Sequence, residues 1–132
     1  MDAVRATVIA AILLTGSAGC APAAKQVDDA VDRGRSWAAT IKVVAEQWAQ
    51  ARVSLRFVRT TITTATQELE RDAEAIRSLD GRAAARLDRV KSALQPVMQA
   101  VAKNEPDAAR DAASLLPTIL QPEPIPPVAR PR

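Results

Sequence analysis

From residue 27 to residue 79, apolar side chains recur at alternating spacings of three and four residues, and only Gly34 and Asp72 interrupt the series. The positions are Val27, Ala30, Gly34, Trp37, Ile41, Val44, Trp48, Ala51, Leu55, Val58, Ile62, Ala65, Leu69, Asp72, Ile76 and Leu79. Such spacing forms one stripe on an α-helix. Because a straight helix drifts by about 20° per heptad against this repeat, the persistent register favours helices that wind around one another. The pattern predicts an all-α, coiled-coil-like bundle, with one amphipathic helix of a short bundle as the alternative.

The composition agrees with long helices. The chain of 132 residues is 48% hydrophobic but only 2% aromatic. A core of Ala, Val, Leu and Ile suits helices that pack closely along their lengths. Glycine is scarce in the body of the chain, and most prolines come after Gln95. This length allows one domain, or one domain with a signal and a tail.

Asp80-Gly81 is the strongest turn signal in the body of the chain. It is followed by a second stripe at Ala83, Leu87, Val90, Leu94, Val97 and Val101. Residues 68–80 carry five acids against two arginines, whereas residues 82–91 carry four basic residues against one acid. We therefore predict a long antiparallel helical hairpin that turns near residues 80–82. Its register places Glu70 near Lys91 and Asp72 near Arg89.

Three side chains off the first stripe, Val43, Val53 and Phe57, form a thin second apolar face. This face predicts that the first arm contacts a second neighbour. The threonine-rich run 60–66 has low intrinsic helix preference because β-branched side chains lose χ1 freedom. The stripe continues through the run, so we predict helix there.

Prolines divide the last third of the chain. Pro96 removes a helical N–H and predicts a kink in the second arm. Pro106 is expected to open a short third helix at about residues 106–116. Five further prolines follow residue 117 and predict an extended, polyproline-like tail over residues 117–132.

The N-terminus has the layout of an export signal. Ala6–Leu14 is an apolar run, and Thr15–Gly19 is small and polar. A membrane-spanning helix needs roughly twenty apolar residues, so this run alone is too short.

The segment Ser17-Ala18-Gly19-Cys20 resembles the lipobox of bacterial lipoproteins. Ala18, Gly19 and Cys20 match the pattern, and Ser17 stands where the family usually has an aliphatic residue. The resemblance implies a diacylglycerol on the Cys20 sulfur, cleavage before Cys20, and often acylation of the new amine. The implied division is a signal peptide at 1–19, a lipidated tether at 20–26, a helical domain at 27–116 and the tail.

Three other interpretations of the N-terminus stay open. Ala21-Pro22-Ala23 fits a small-x-small cleavage site, which would release a soluble exported protein. The uncharged segment 6–24 could instead remain as an uncleaved anchor. Finally, Cys20 could be an incidental small apolar residue.

The residue types argue against catalysis. The chain has no histidine and one cysteine, which removes the usual general base, an internal disulfide and the usual zinc sites. We therefore predict no enzyme, no metal and no cofactor. A net charge of +3, mixed with acids and without interleaved aromatics, argues against nucleic-acid binding.

The predicted function is that of a non-enzymatic lipoprotein of the cell envelope, which reaches the membrane through lipid on Cys20. Its helical seam would bind a protein partner or a second copy. Trp37 and Trp48 are candidate partner contacts, although aromatics at seam positions are more often core. Arg130 and Arg132, in a tail that is otherwise a solvated terminus, could contact a partner or the cell wall.

Two alternatives remain. The lipobox and the proline content resemble an outer-membrane spanin of phage lysis, whereas the anchor and coiled coil resemble an inner-membrane one. The other alternative is a soluble exported helical binding protein. In a host with an outer membrane, Ala21 after the cysteine resembles the lipoproteins sent there, which then face the periplasm.

Overall fold

The computed structural model describes residues 21–121, and within them the protein is all-α without a strand. The all-α prediction is thus confirmed. The predicted signal peptide, Cys20 and residues 122–132 of the predicted tail lie outside the described residues. The helices are α1 (Ala21–Ala49), α2 (Leu55–Ile76), α3 (Gly81–Ala102), α4 (Pro106–Ala113) and α5 (Leu116–Ile119).

The helices form a bundle in which α2 and α3 are antiparallel neighbours. Lys91 Nζ lies 3.7 Å from Glu70 Oε1, which confirms that predicted pair. Asp72 does not pair with Arg89 but turns toward α1, so that prediction is wrong. Helices α4 and α5 each pack on both α1 and α3 and form the fourth side of the bundle.

Both predicted stripes form the core. Every position of the first stripe is buried or half-buried except Ala51 and Leu79. All six positions of the second stripe are buried. The seam that the sequence left open to a partner therefore closes within one chain.

Of the predicted second apolar face, Val53 is half-buried against the core, whereas the prediction was wrong for Val43 and Phe57. Val43 and Phe57 are each 51% exposed. The additional buried positions on α1 are Val31, Ala38 and Ala45, which recur every seven residues. Two of these are alanines, and the buried positions of α4 are alanines too. Small side chains let helix axes approach closely, so alanine forms this contact face where larger apolar residues remain outside.

The continuous first helix that the stripe predicted is wrong, because the chain turns at residues 50–54. Ala51 has a φ of +57°, in the left-handed region. Its N–H donates to the Trp48 carbonyl at 2.9 Å, and the Arg52 N–H donates to the Gln47 carbonyl at 2.8 Å. This pair of bonds is a Schellman motif, which ends α1.

One residue of the sequence signals this turn. The Ser54 hydroxyl oxygen accepts the Phe57 N–H at 3.1 Å and caps the start of α2. Residues 50–54 contain neither glycine nor proline. The stripe crosses the turn because the last turn of α1 and the first turn of α2 both face the same core.

Replacing Ala51 with glycine is expected to stabilise the protein by about 0.5–1 kcal/mol. The left-handed conformation costs an L-residue roughly 1–2 kcal/mol, and glycine avoids most of that cost while losing more chain entropy on folding. Urea unfolding of Ala51→Gly beside the wild type checks this. Ala39→Gly, at an exposed position in the interior of α1, is the control and should destabilise by about 1 kcal/mol.

The threonine-rich run lies within α2, as predicted. The hydroxyls of Thr61, Thr63, Thr64 and Thr66 each donate to the carbonyl four residues earlier, at 2.8–3.0 Å. These bonds satisfy the hydroxyls without interrupting the helix.

Two predicted boundaries differ from the structure. Residues 21–26, expected as a tether, are the first turns of α1. The third helix begins at Pro106 as expected but ends at Ala113, and α5 follows it. Helix α3 continues through Pro96, which lies on the exposed side, where solvent can reach the carbonyl that loses its helical donor.

Candidate functional site

The end of the bundle that follows Cys20 in sequence is built by α1 and the turn between α2 and α3. Helix α1 includes the first described residues, so the end of this helix lies close to Cys20 in sequence. Ala23 and Val27 of α1 line one surface notch together with Leu79 and Asp80 of the turn. A group attached to Cys20 would therefore lie at this end, which we call the proximal end.

The turn at the proximal end is held by charged groups. Asp80 Oδ1 accepts the backbone N–H groups of Arg82 and Ala83, each at 3.1 Å, and so caps α3. Arg77 donates to Asp88 at 3.1 Å across the turn. That hydrogen bond raises the pKa of the Arg77 guanidinium above its ordinary value.

One layer of the core requires glycine at position 34, because neighbouring side chains occupy the space that a Cβ would fill. A Cβ atom at Gly34 would lie 2.5 Å from Leu87 Cδ2 and 3.0 Å from Leu120 Cδ1. Leu69 of α2 reaches the same position at 3.7 Å. Gly34 therefore lets the other arms of the bundle meet against the backbone of α1.

Two arginines hold the end of the described chain. The Leu120 carbonyl accepts from Arg35 Nε at 3.0 Å and from Arg86 Nη2 at 3.3 Å. Arg35 also forms an ion pair with Asp32 at 3.0 Å. The guanidinium groups complement the carbonyl end of α5, and they hold the last described residues against α1 and α3.

A salt bridge joins α1 to α2. Arg33 Nε donates to Asp72 Oδ2 at 2.9 Å, and Nη2 donates to Oδ1 at 3.0 Å. Among the residues described, Asp72 is the one buried charged residue. Its hydrogen bonds raise the pKa of Arg33 above the ordinary value. Asp72 points into the seam, as the stripe predicts, and serves as a structural carboxylate there.

Replacing Arg33 with alanine is expected to destabilise the protein by about 1–3 kcal/mol, because the Asp72 carboxylate loses its bidentate partner. The cost stays below that of a fully buried pair, since the Arg33 side chain is 52% exposed and water can reach the carboxylate from that side. Urea unfolding at pH 7 measures the loss. The control is Arg71→Ala, which breaks an exposed pair with Glu68 and should cost less than about 1 kcal/mol.

The predicted site residues fall in three places. Trp48 is only 7% exposed and belongs to the core, so it offers a partner almost no surface. Trp37 is half-buried against the core. Cys20, Arg130 and Arg132 lie outside the described residues. The sequence did not predict the binding of Arg35 and Arg86 to the Leu120 carbonyl. These arginines are 85 and 34 residues from Leu120 in sequence, and no local pattern marks them.

Two findings bound the chemistry of the described part of the chain. Residues 21–121 contain no group of three or more His, Cys, Asp or Glu side chains that could hold a metal ion. None of the helices described has the length and apolar character needed to cross a membrane.

No protein-family model, curated protein or solved structure matches this chain. Its function is therefore argued from the residues and the geometry above.

Proposed function

We propose that the protein is a lipid-anchored lipoprotein of the bacterial cell envelope, in which the helical bundle is a non-enzymatic structural or protein-binding module. The observation that supports this most is the lipobox-like segment Ser17-Ala18-Gly19-Cys20. Because the described residues directly after Cys20 belong to α1, an acylated Cys20 would hold the proximal end of the bundle close to the bilayer. Two or three acyl chains suffice for stable anchoring, since each buried methylene contributes about 0.8 kcal/mol.

The exposed apolar residues give a partner a place to bind. The seam is closed, so a protein partner would use the outer faces of the bundle. Phe57 is 51% exposed and lies in the first turn of α2. Because α1 and α2 are joined by a short turn, the start of α2 is at the end opposite the anchor. A protein fixed at one end and presenting an aromatic side chain at the other suits a bridging role in the envelope.

Membrane fractionation of a Cys20→Ser variant tests this proposal. The wild type is expected in the membrane pellet after carbonate washing, and the variant is expected to lose that association. Ser17→Leu, which completes the lipobox pattern, is the matched control and should stay in the pellet. Retention of Cys20→Ser in washed membranes would contradict lipid anchoring and favour an uncleaved anchor at residues 6–24.

A further inference from the structure

Four arginines converge on one cleft beside the proximal end. Arg35 of α1 and Arg82, Arg86 and Arg89 of α3 line a depression of about 650 Å³. Asp80 is the one acid among its lining residues, and Arg35 is already ion-paired with Asp32, so the lining carries a net positive charge. The Asp80 carboxylate is already engaged by two backbone N–H groups.

Two of these arginines retain free binding capacity. The side chains of Arg82 and Arg89 are exposed, and neither forms an ion pair with another described residue. Within residues 21–121, Arg86 donates to the carbonyls of Leu120 and Gln121 and to no side chain. A guanidinium presents five donors in a planar fork that matches the oxygens of a phosphate group.

The cleft lies on the side of the bundle, next to the proximal end that the anchor would hold. Helix α3 starts beside the first turns of α1, and Arg82 is its second residue. Arg86 and Arg89 follow at spacings of four and three, so the three side chains share one helix face. At 1.5 Å per residue the row extends about 10 Å along α3. The electrostatic screening length at physiological salt, about 8 Å, is comparable with that distance.

We propose that this cleft docks on the phosphate groups of anionic lipids in the bilayer that carries the anchor. The proposal rests on the proposed lipid anchor for the orientation of the bundle. The acyl chains would fix one end, and the arginine row would determine which face leans toward the membrane. The notch beside Leu79 carries Asp28, so the arginine side is the docking face rather than the tip of the turn.

Vesicle binding of the full-length chain with Cys20→Ser tests the docking without any acyl contribution. Binding to neutral phosphatidylcholine vesicles gives the baseline from residues 1–20. The readout is the additional binding when phosphatidylglycerol is included at low ionic strength. Arg82→Gln/Arg89→Gln is compared with Arg52→Gln/Arg56→Gln, which removes the same charge from exposed positions at the opposite end. Circular dichroism checks that both remain folded.

The additional binding is expected to fall about 25-fold in Arg82→Gln/Arg89→Gln, since each basic residue near an anionic surface contributes roughly fivefold. The control pair should retain it. An equal loss in both pairs, or no loss in either, would overturn the proposal. Binding of inorganic phosphate that is lost in Arg82→Gln/Arg89→Gln, without any additional binding to phosphatidylglycerol vesicles, would assign the cleft to a soluble anion and also overturn it. Because every chain in this experiment carries the Cys20→Ser substitution, failure here is separable from failure of the lipid anchor.

Discussion

Replacing Leu87 with alanine is expected to destabilise the bundle by about 2–5 kcal/mol, the cost of removing a buried leucine and leaving a cavity. Leu87 is fully buried on α3 and reaches the backbone of α1 at Gly34, where Leu69 and Leu120 also meet. The surrounding helices can relax into the cavity only in part, because each helix is held in place by its own contacts. A shift in the urea midpoint without a change in slope would measure the loss.

The control for Leu87→Ala is Leu115→Ala. Leu115 is 66% exposed between α4 and α5, so its truncation should change stability by less than about 0.5 kcal/mol. Similar losses in the two variants would show that the layer around Gly34 is not the packed centre described here.

Replacing Gly34 with leucine is expected to destabilise by at least about 2 kcal/mol, because overpacking costs more than the roughly 1 kcal/mol that leucine gains in helix propensity. Even the first atom of the new side chain would lie 2.5 Å from Leu87 Cδ2. Thermal and urea unfolding both measure the change. Gly81→Leu is the matched control, since a Cβ there meets nothing within 4 Å, and it should be close to neutral.

The smaller substitution Gly34→Ala, made in two backgrounds, tests the same contact. Its effect on the free energy of unfolding is expected to differ in sign between them. Gly34→Ala should destabilise the wild type or leave it unchanged, because its methyl group collides with Leu87. In the Leu87→Ala background the same methyl enters the vacated space, so Gly34→Ala should stabilise by up to about 1 kcal/mol. Equal effects in the two backgrounds would contradict the close approach of Leu87 to α1.

The helical class and the core could be predicted from the sequence because both depend on local periodicity. Apolar residues three and four apart share a helix face whatever surrounds them, which is why the stripe through Ile62 and Leu69 and the stripe through Leu87 and Leu94 are buried. Asp80 could be placed at a turn because its side chain acts on N–H groups two and three residues away.

The remaining features depend on contacts that are distant in sequence or on an unusual backbone. Ala51 adopts a left-handed conformation that is usually occupied by glycine or asparagine. The residue type at this position therefore does not predict the end of α1. Arg33 is 39 residues from Asp72, and a carboxylate near the seam could equally have met Arg89 on α3. The arginine cleft likewise forms only when α1 and α3 lie side by side.

The candidate anchor site stays a prediction from the sequence pattern. Cys20 and the segment before it lie outside the described residues, so the lipobox-like pattern is the main support for acylation. The structure adds that the described residues directly after Cys20 are helical, so an anchor at Cys20 would lie close to the proximal end of the bundle.

Intact-mass measurement of the protein from membranes, for wild type beside Cys20→Ser, tests the lipid anchor most directly. We expect a mature wild-type chain that begins at Cys20 and carries the added mass of acyl chains, and we expect no such species from the variant. An unmodified wild-type chain beginning at Ala24 would contradict the account and favour a soluble exported protein. A full-length chain without acyl mass would contradict it as well and favour a retained anchor.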